Sequence, residues 1–350
     1  MTKAFQSGLV VGKFCPLHRG HMLVIERAIA ACDEVIVLSY TNPAFADCDA
    51  PTRLHWLRTL YPQVQAVVLD DGVLAQLCAE QGISPAPVLP PNDAPDAVQR
   101  DFVAWICVAL LGKTVDAVFS SEDYGDGFAA ALSAYFTRHG MSRPPVQHVC
   151  VDQARRQIPT SGTAIRACPH AHRDDLHPLV YASFVRRICL LGGESTGKTT
   201  LAAALAAQLH TTWVPEFGRE LWVAQAGELA FDDLLRVART QIAREDEMAQ
   251  HAREWLVCDT SPLTTRCYSM AMFARVDPVL LALSARPYAY TFVCAPDFDF
   301  VQDGTRQDPA FRLRQHAWHL DTLRAAGLAY IVLSGSVAER LAQIGAVLQR

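Results

Sequence analysis

A chain of 350 residues exceeds what one hydrophobic core usually fills, and a composition 51% apolar and 19% charged supplies enough side-chain volume for two cores. The formal net charge of −5 lacks the basic excess that nucleic-acid or anionic-membrane binding calls for, so small-molecule partners are expected, with no nucleic acid. The longest apolar run, residues 102–111, is too short to span a bilayer, the first residues make no signal peptide, and the 11 cysteines, an odd number without a C-x-x-C pair, read as reduced thiols, which together point to the cytoplasm without membrane insertion.

Short β-branched runs at 8–11, 34–39, 64–69, 115–119 and 146–151 alternate with helical stretches, a pattern that predicts a parallel sheet with helices on both faces. Directly after the first run, GKFCPLHRGHMLVIERAIAACDEVIVLSY carries an H-x-G-H step where a strand turns into a helix. Gly12 and Pro16 punctuate the turn, Gly20 allows backbone to approach a ligand, and Met22, Ile25 and Ile29 give the helix a buried face. His18 and His21 then fall where helix N–H groups and the macrodipole favour phosphate. Direct nucleotidyl transfer at an α-phosphate needs fixed donors to the phosphoryl oxygens, and two imidazoles can supply them. Either histidine alone reads as an ordinary cap; the spacing and the strand context set the pair apart.

These residues resemble the nucleotidyltransferases of the H-x-G-H superfamily, and within it the nicotinamide mononucleotide (NMN) adenylyltransferases. Their second signature, S-x-T-x-x-R, is matched in IPTSGTAIR by Ser161, Thr163 and Arg166. The resemblance implies that Ser161 and Thr163 cap a helix over the ATP phosphates, that Arg166 binds the β- and γ-phosphates, and that Gly12, Lys13 and Phe14 belong to the same ATP site. It also places Ser120, Ser121 and Glu122 of FSSEDYG near the adenosine. Arg53 in PTRLHWL resembles a family arginine at a helix start, with a surface salt bridge as the alternative.

The stretch ACPHAHRDDLHPLVYASF interrupts any regular period, so the expected organisation is a nucleotidyltransferase domain at 1–172, a linker or capping segment at 173–185 and a second domain at 186–350. Cys168, His170, His172 and His177 fit no common zinc spacing. A second strand series follows at 187–191, 212–214, 255–258, 290–294 and 329–333, so the fold class is α/β with two doubly wound parallel-sheet domains. The two domains open on different glycine motifs, which indicates fusion rather than duplication.

RICLLGGESTGKTTLAAALAAQL is a strand, a Walker A loop and an alanine-rich helix. Gly192 and Gly197 allow the tight wrap, and backbone N–H groups of Gly193, Glu194, Ser195, Thr196, Gly197 and Thr200 are placed to cradle phosphate. Lys198 reaches the β- and γ-phosphates, and Thr199 with Asp259, at the end of an apolar strand in WLVCDTSPLTT, is expected to hold Mg²⁺, partly through water. The short domain, the missing N-K-x-D guanine motif and Asp259 favour a kinase. FVQDGTRQD reads as a lid carrying Arg306 toward the phosphates, with an Asp303–Arg306 surface pair as the alternative.

Both domains together resemble the bifunctional NMN adenylyltransferase and ribosylnicotinamide kinase family, the NadR type, from about residue 8 to about residue 340. LGGESTGKT, VPEFGRELW, CDTSPLTT and QDGTR follow the family's order. Glu216, Arg219 and Glu220 look like the family's segment that meets the nucleoside, where surface charge is the alternative. Ser261 stands where some members carry aspartate, and only seven residues precede the first strand, so operator binding is not expected. The resemblance implies phosphorylation of nicotinamide riboside to NMN by the second domain and adenylyl transfer from ATP to NMN, giving NAD and pyrophosphate, by the first. Motif chemistry leaves two alternatives open: the same folds acting on another phosphorylated acceptor and nucleoside, or an NAD- or ATP-sensing regulator with one silent domain. Homo-oligomerisation and the residues around the nicotinamide ring, for which Trp105, Trp213 and Trp222 are candidates, stay open as well.

Overall fold

The computed structural model describes residues 3–122, 124–141, 144–152, 156–302, 304 and 306–349. Two compact units divide between Ser183 and Phe184. The first contains β1 (Phe5–Val11), β2 (Cys32–Tyr40), β3 (Gln65–Leu69), β4 (Ala117–Ser120) and β5 (Gln147–Cys150), in the order β3-β2-β1-β4-β5. The second contains β6 (Arg186–Leu191), β7 (Trp213–Val214), β8 (Trp255–Asp259), β9 (Tyr290–Cys294) and β10 (Ile331–Leu333), in the order β10-β9-β6-β8-β7. All pairings are parallel. Each unit therefore has a central strand from which the chain winds out in both directions, and the crevice at its carboxyl end is where open α/β sheets bind ligands.

Burial explains the near-continuous apolar strands. In β6, Ile188 and Leu190 pack with Leu201 and Leu205 on one face, while Cys189 and Leu191 pack with Leu263 and Leu323 on the other. The first unit's core joins Leu9, Leu38 and Val118 to Phe102, Val103 and Leu132. The apolar run 102–111 is the buried side of the helix Asp96–Trp105 and its π-helical continuation Ile106–Leu110.

Sequence periodicity misplaces one stripe. The helix Arg19–Ala31 buries Val24, Ile25 and Ala28 against the centre of the sheet, whereas Met22 and Ile29 are only half-buried. The stretch after Ala167 folds back on the first unit: Val180 and Tyr181 are buried, Trp56 Nε1 donates to Ser183 Oγ at 3.1 Å, and His18 bridges Leu176. His170 meets the Tyr181 hydroxyl, His172 meets Asp175, and His177 caps a short helix by accepting from Leu179 N–H. Among the described residues no group of three or more His, Cys, Asp or Glu could hold a metal ion, and no helix is long and apolar enough to cross a membrane.

Candidate functional sites

At the end of β1 the chain turns through Phe14, whose φ of 49° places it in the left-handed region, and enters the helix Arg19–Ala31. His18 is the N-cap, its Nδ1 accepting from His21 N–H at 3.4 Å, so the neutral ring carries its proton on Nε2. The two imidazoles stack with centroids 3.7 Å apart, and Phe14 meets His21 edge-on at 5.1 Å. A Cβ on Gly20 would approach the His18 ring at 3.1 Å, so the glycine makes room for the histidine, and it also lines the cavity beside the two imidazoles.

Ser161 caps the helix Gly162–Ala167 by accepting from Ala164 N–H at 3.2 Å. Arg166 donates to Thr163 Oγ1 at 3.1 Å and to the carbonyl of Cys15, tying the second signature to the first. His18, His21, Ser120, Ser121, Glu122, Ser161, Thr163 and Arg166 line one cavity of about 410 Å³ together with Gly12, Lys13 and Phe14. A second cavity, of about 290 Å³, shares the Gly12 and Lys13 wall and adds Tyr40, Asn92, Gln99 and Arg100.

Arg53 is no surface residue. It is 1% exposed and donates to Ser39 Oγ, to Thr41 Oγ1 at 3.3 Å and to the carbonyl of Lys13 at 3.3 Å, fastening the loop beneath the first cavity without lining it.

In the second unit the loop between β6 and the helix Lys198–Gln208 needs left-handed backbone at Ser195 and Gly197, with φ of 55° and 76°. Lys198 Nζ donates to the carbonyls of Gly192 and Gly193 at 3.0 and 2.9 Å. Thr196 Oγ1 donates to Gly193 O at 2.8 Å, and Ser195 Oγ accepts from Val301 N–H at 2.9 Å. Thr199 Oγ1 donates to Asp259 Oδ2 at 2.6 Å, and Thr200 is exposed on the next step of the same helix. Burial pushes the Asp259 carboxyl up, opposed by the Lys198 ammonium and the Thr199 hydroxyl. Ser261 is the N-cap of the helix Pro262–Phe273, which accounts for a serine at that position.

Beside the loop, Glu194, Glu216, Arg219, Trp222, Tyr268 and Arg306 line a cavity of about 160 Å³. Glu194 was expected to offer its backbone N–H to the ATP phosphates; its side chain faces this cavity, held by the Tyr268 hydroxyl at 3.0 Å and Gln307 N–H at 2.8 Å. Desolvation raises the Glu216 carboxyl, with Lys198 as the main opposing charge. Glu220 does not join them: it points the other way along the helix Phe217–Ala224 and forms a two-pronged ion pair with Arg244 at 2.6 and 2.8 Å. Arg306 donates to the carbonyl of Val301 while lining the cavity, and Asp303 lies outside the described residues. Of the three candidate tryptophans, Trp222 lines this cavity, Trp105 stacks on Phe102, and Trp213 packs against the core beside β8.

Residues 187–340 match the family described as AAA domain. The trifunctional NAD biosynthesis/regulator protein NadR of Escherichia coli is 28% identical over 291 residues, which are 79% of this chain and 65% of that relative, and the NadR of Salmonella typhimurium matches to the same extent. The chain thus spans about 65% of the length of these curated relatives. A crystal structure of NadR protein in complex with NAD and AMP-PNP superposes with a TM-score of 0.67, covering 99% of this chain and 96% of that one at 20% identity, and so shares its fold. The chain is thus similar to NadR over most of its length. Over a shorter stretch of 77 residues, 21% of this chain and 46% of the relative, it is 36% identical to the phosphopantetheine adenylyltransferase of Pseudarthrobacter chlorophenolicus.

Some residues near these sites carried no motif in the sequence. Arg340, from the last helix Val337–Leu348, is fully buried and donates to Thr196 O at 2.7 Å, Ala295 O at 3.0 Å and Gly335 O at 3.0 Å, and it pairs with Asp297. It holds the phosphate loop from behind. Because truncation strands several buried acceptors, Arg340→Ala is expected to destabilise the second unit by about 3 kcal/mol or more, read as a lower midpoint in urea unfolding. Tyr268 and Gln307 were missed for the same reason: each reaches its cavity from a helix or loop far away in sequence.

Proposed function

We propose that the chain catalyses two successive steps of NAD biosynthesis. The second unit transfers the γ-phosphoryl group of ATP to nicotinamide riboside, and the first transfers the adenylyl group of ATP to the resulting NMN, giving NAD and pyrophosphate. Residues 1–172 would hold the adenylyltransferase, 186–350 the kinase and 173–185 the segment between them. The observation that carries this assignment is that in each unit a phosphate-handling loop at the end of the central strand adjoins a cavity able to take an acceptor. Support comes also from the NadR relatives, which match 79% of the chain.

In the first unit, an oxygen of the NMN phosphate attacks the α-phosphorus and the bond to the β-phosphate oxygen breaks. His18 Nε2–H and His21 stabilise charge on the α-phosphoryl oxygens, and Arg166 with Ser161 and Thr163 holds the departing pyrophosphate. Tyr40, Arg100 and Lys13 are placed to receive the mononucleotide. Similarity to a phosphopantetheine adenylyltransferase supports adenylyl transfer as the reaction class and makes phosphopantetheine the control acceptor.

In the second unit, the riboside 5′-oxygen attacks the γ-phosphorus, the bond to the β,γ-bridging oxygen breaks to release ADP, and the hydroxyl proton passes to Glu216, whose carboxyl sits in the cavity with a raised affinity for protons. The hydroxyl and carboxylate oxygens of Thr199 and Asp259, with Asp259 Oδ1 lacking a protein partner, fit a hard divalent cation. Mg²⁺ bound there would neutralise charge on the β- and γ-phosphate oxygens. Trp222 offers an aromatic face to the nicotinamide ring, and Trp222→Ala is expected to raise KM for the riboside about 10-fold with little change in kcat, checked by steady-state kinetics.

The test of the whole assignment is mass-spectrometric product analysis after incubation with Mg·ATP and nicotinamide riboside. NMN followed by NAD is the expected outcome. NMN alone would leave the first unit with a different acceptor, and neither product would sink the assignment.

A further inference from the structure

Ser120 ends β4 and lines the larger cavity of the first unit, yet its hydroxyl is engaged from behind. Its Oγ lies 2.9 Å from Nε2 of His148, a residue of β5, and the His148 Nδ1 lies 2.9 Å from Asp126 Oδ1 in the first turn of the helix Gly125–Arg138. The imidazole is 7% exposed and the carboxylate 93%. Gly125 makes the arrangement sterically feasible, since a Cβ there would stand 2.0 Å from the His148 Nε2. Neither His148 nor Asp126 is among the residues lining the cavity, so both act on its contents through Ser120.

The direction of the hydrogen bonds follows from what each group can offer. A carboxylate only accepts, so Asp126 takes the Nδ1 proton and leaves Nε2 as an acceptor. Ser120 has one hydrogen and two acceptors in reach, His148 Nε2 at 2.9 Å and the Glu122 carbonyl at 3.2 Å, while Glu122 N–H approaches its Oγ at 3.4 Å. The shorter contact and the tautomer imposed by Asp126 both commit the hydrogen to His148. What Ser120 then presents to the cavity is an oxygen lone pair.

We propose that Asp126 and His148 fix Ser120 as a hydrogen-bond acceptor, which makes Ser120 a specificity-determining residue for a nucleotide that offers an N–H or O–H at that point: the exocyclic amino group of adenine or a ribose hydroxyl. His148 and Asp126 are positioning residues. The proposal rests on assigning adenylyl transfer to the first unit.

Dinucleotide formation from NMN by the full chain isolates this site, because NMN already carries the phosphate that the other unit would add. ATP is compared with inosine triphosphate, which lacks the amino group, and with 2′-deoxy- and 3′-deoxy-ATP, each lacking one hydroxyl. The wild type should use one of the three about 10-fold less well than ATP in kcat/KM, and that analogue identifies the donor. His148→Phe keeps an aromatic ring but removes the acceptor; KM for ATP should rise about 10-fold with kcat within about 2-fold, and the discrimination against that analogue should vanish. Asp126→Ala, at an exposed position, should move selectivity the same way and stands in if His148→Phe fails to fold. A purely structural role would lower activity with ATP and its analogues in proportion. If the wild type makes no dinucleotide from NMN and ATP, the adenylyltransferase assignment falls and the proposal with it. If it makes NAD but no analogue is discriminated, or if both variants leave the selectivity unchanged, the proposal alone is overturned.

Discussion

Lys198→Ala should abolish phosphorylation of nicotinamide riboside while NMN adenylylation continues at close to the wild-type rate. The ammonium stands at the start of the helix Lys198–Gln208, within 3.0 Å of the Gly192 and Gly193 carbonyls. A phosphoryl transition state carries its charge on oxygens that this loop surrounds, and removing one fixed cationic donor from such a site costs on the order of 10³-fold in rate. A second effect adds to the first. Lys198 is the leading favourable charge on both Asp259 and Glu216, each already pushed up by burial. Without it both carboxyls hold protons more readily, which weakens a cation site and removes the acceptor for the riboside proton. Riboside-dependent ADP release and NMN-dependent pyrophosphate release, measured on the same preparation, separate the two reactions. Loss of both in a folded protein would show that the two activities do not occupy separate sites.

The reciprocal result is expected for His21→Ala: NAD formation from NMN falls by about 10²- to 10³-fold and riboside phosphorylation is retained. His21 stacks on His18 and meets Phe14 edge-on, so its ring is held on both sides and is presented to the cavity without reorganisation. Truncation removes a donor and also a wall of the His18 ring. His21→Asn keeps an N–H donor at a similar reach and should recover part of the lost kcat. If alanine and asparagine were equally impaired in kcat and the protein remained folded, ring packing rather than hydrogen bonding would be the function of the residue. The two substitutions form a matched pair, because each reaction is the internal control for the other.

The strand positions and the two phosphate motifs were readable because they depend on local order. A run of β-branched residues must be extended and buried, and a glycine-rich turn between strand and helix must expose N–H groups whatever else the chain does. All ten expected strands occur, with ends shifted by at most three residues, the H-x-G-H and S-x-T-x-x-R residues line one cavity, and the Walker A residues form the loop between β6 and the helix that follows it. Single charged residues were less readable. Arg53 had a surface alternative and is buried, Glu220 was a nucleoside candidate and pairs with Arg244, and Glu194 belongs to a phosphate motif yet turns its carboxylate into the neighbouring cavity. Each depends on which distant element supplies a partner, and spacing along the chain carries no information about that.

What the sequence by itself determined is the order of elements, the two chemical loops and the class of reaction that such loops support, since helix starts, tight turns and apolar strands follow from the conformational limits of a few neighbouring residues. Only the tertiary structure decided what surrounds those loops. Sheet order brings β5 beside β4 and so joins His148 to Ser120, and the last helix brings Arg340 beneath a loop 144 residues earlier. Such groups meet because parallel strands pair across long crossovers, and a buried donor is stable only where the folded chain supplies its acceptors.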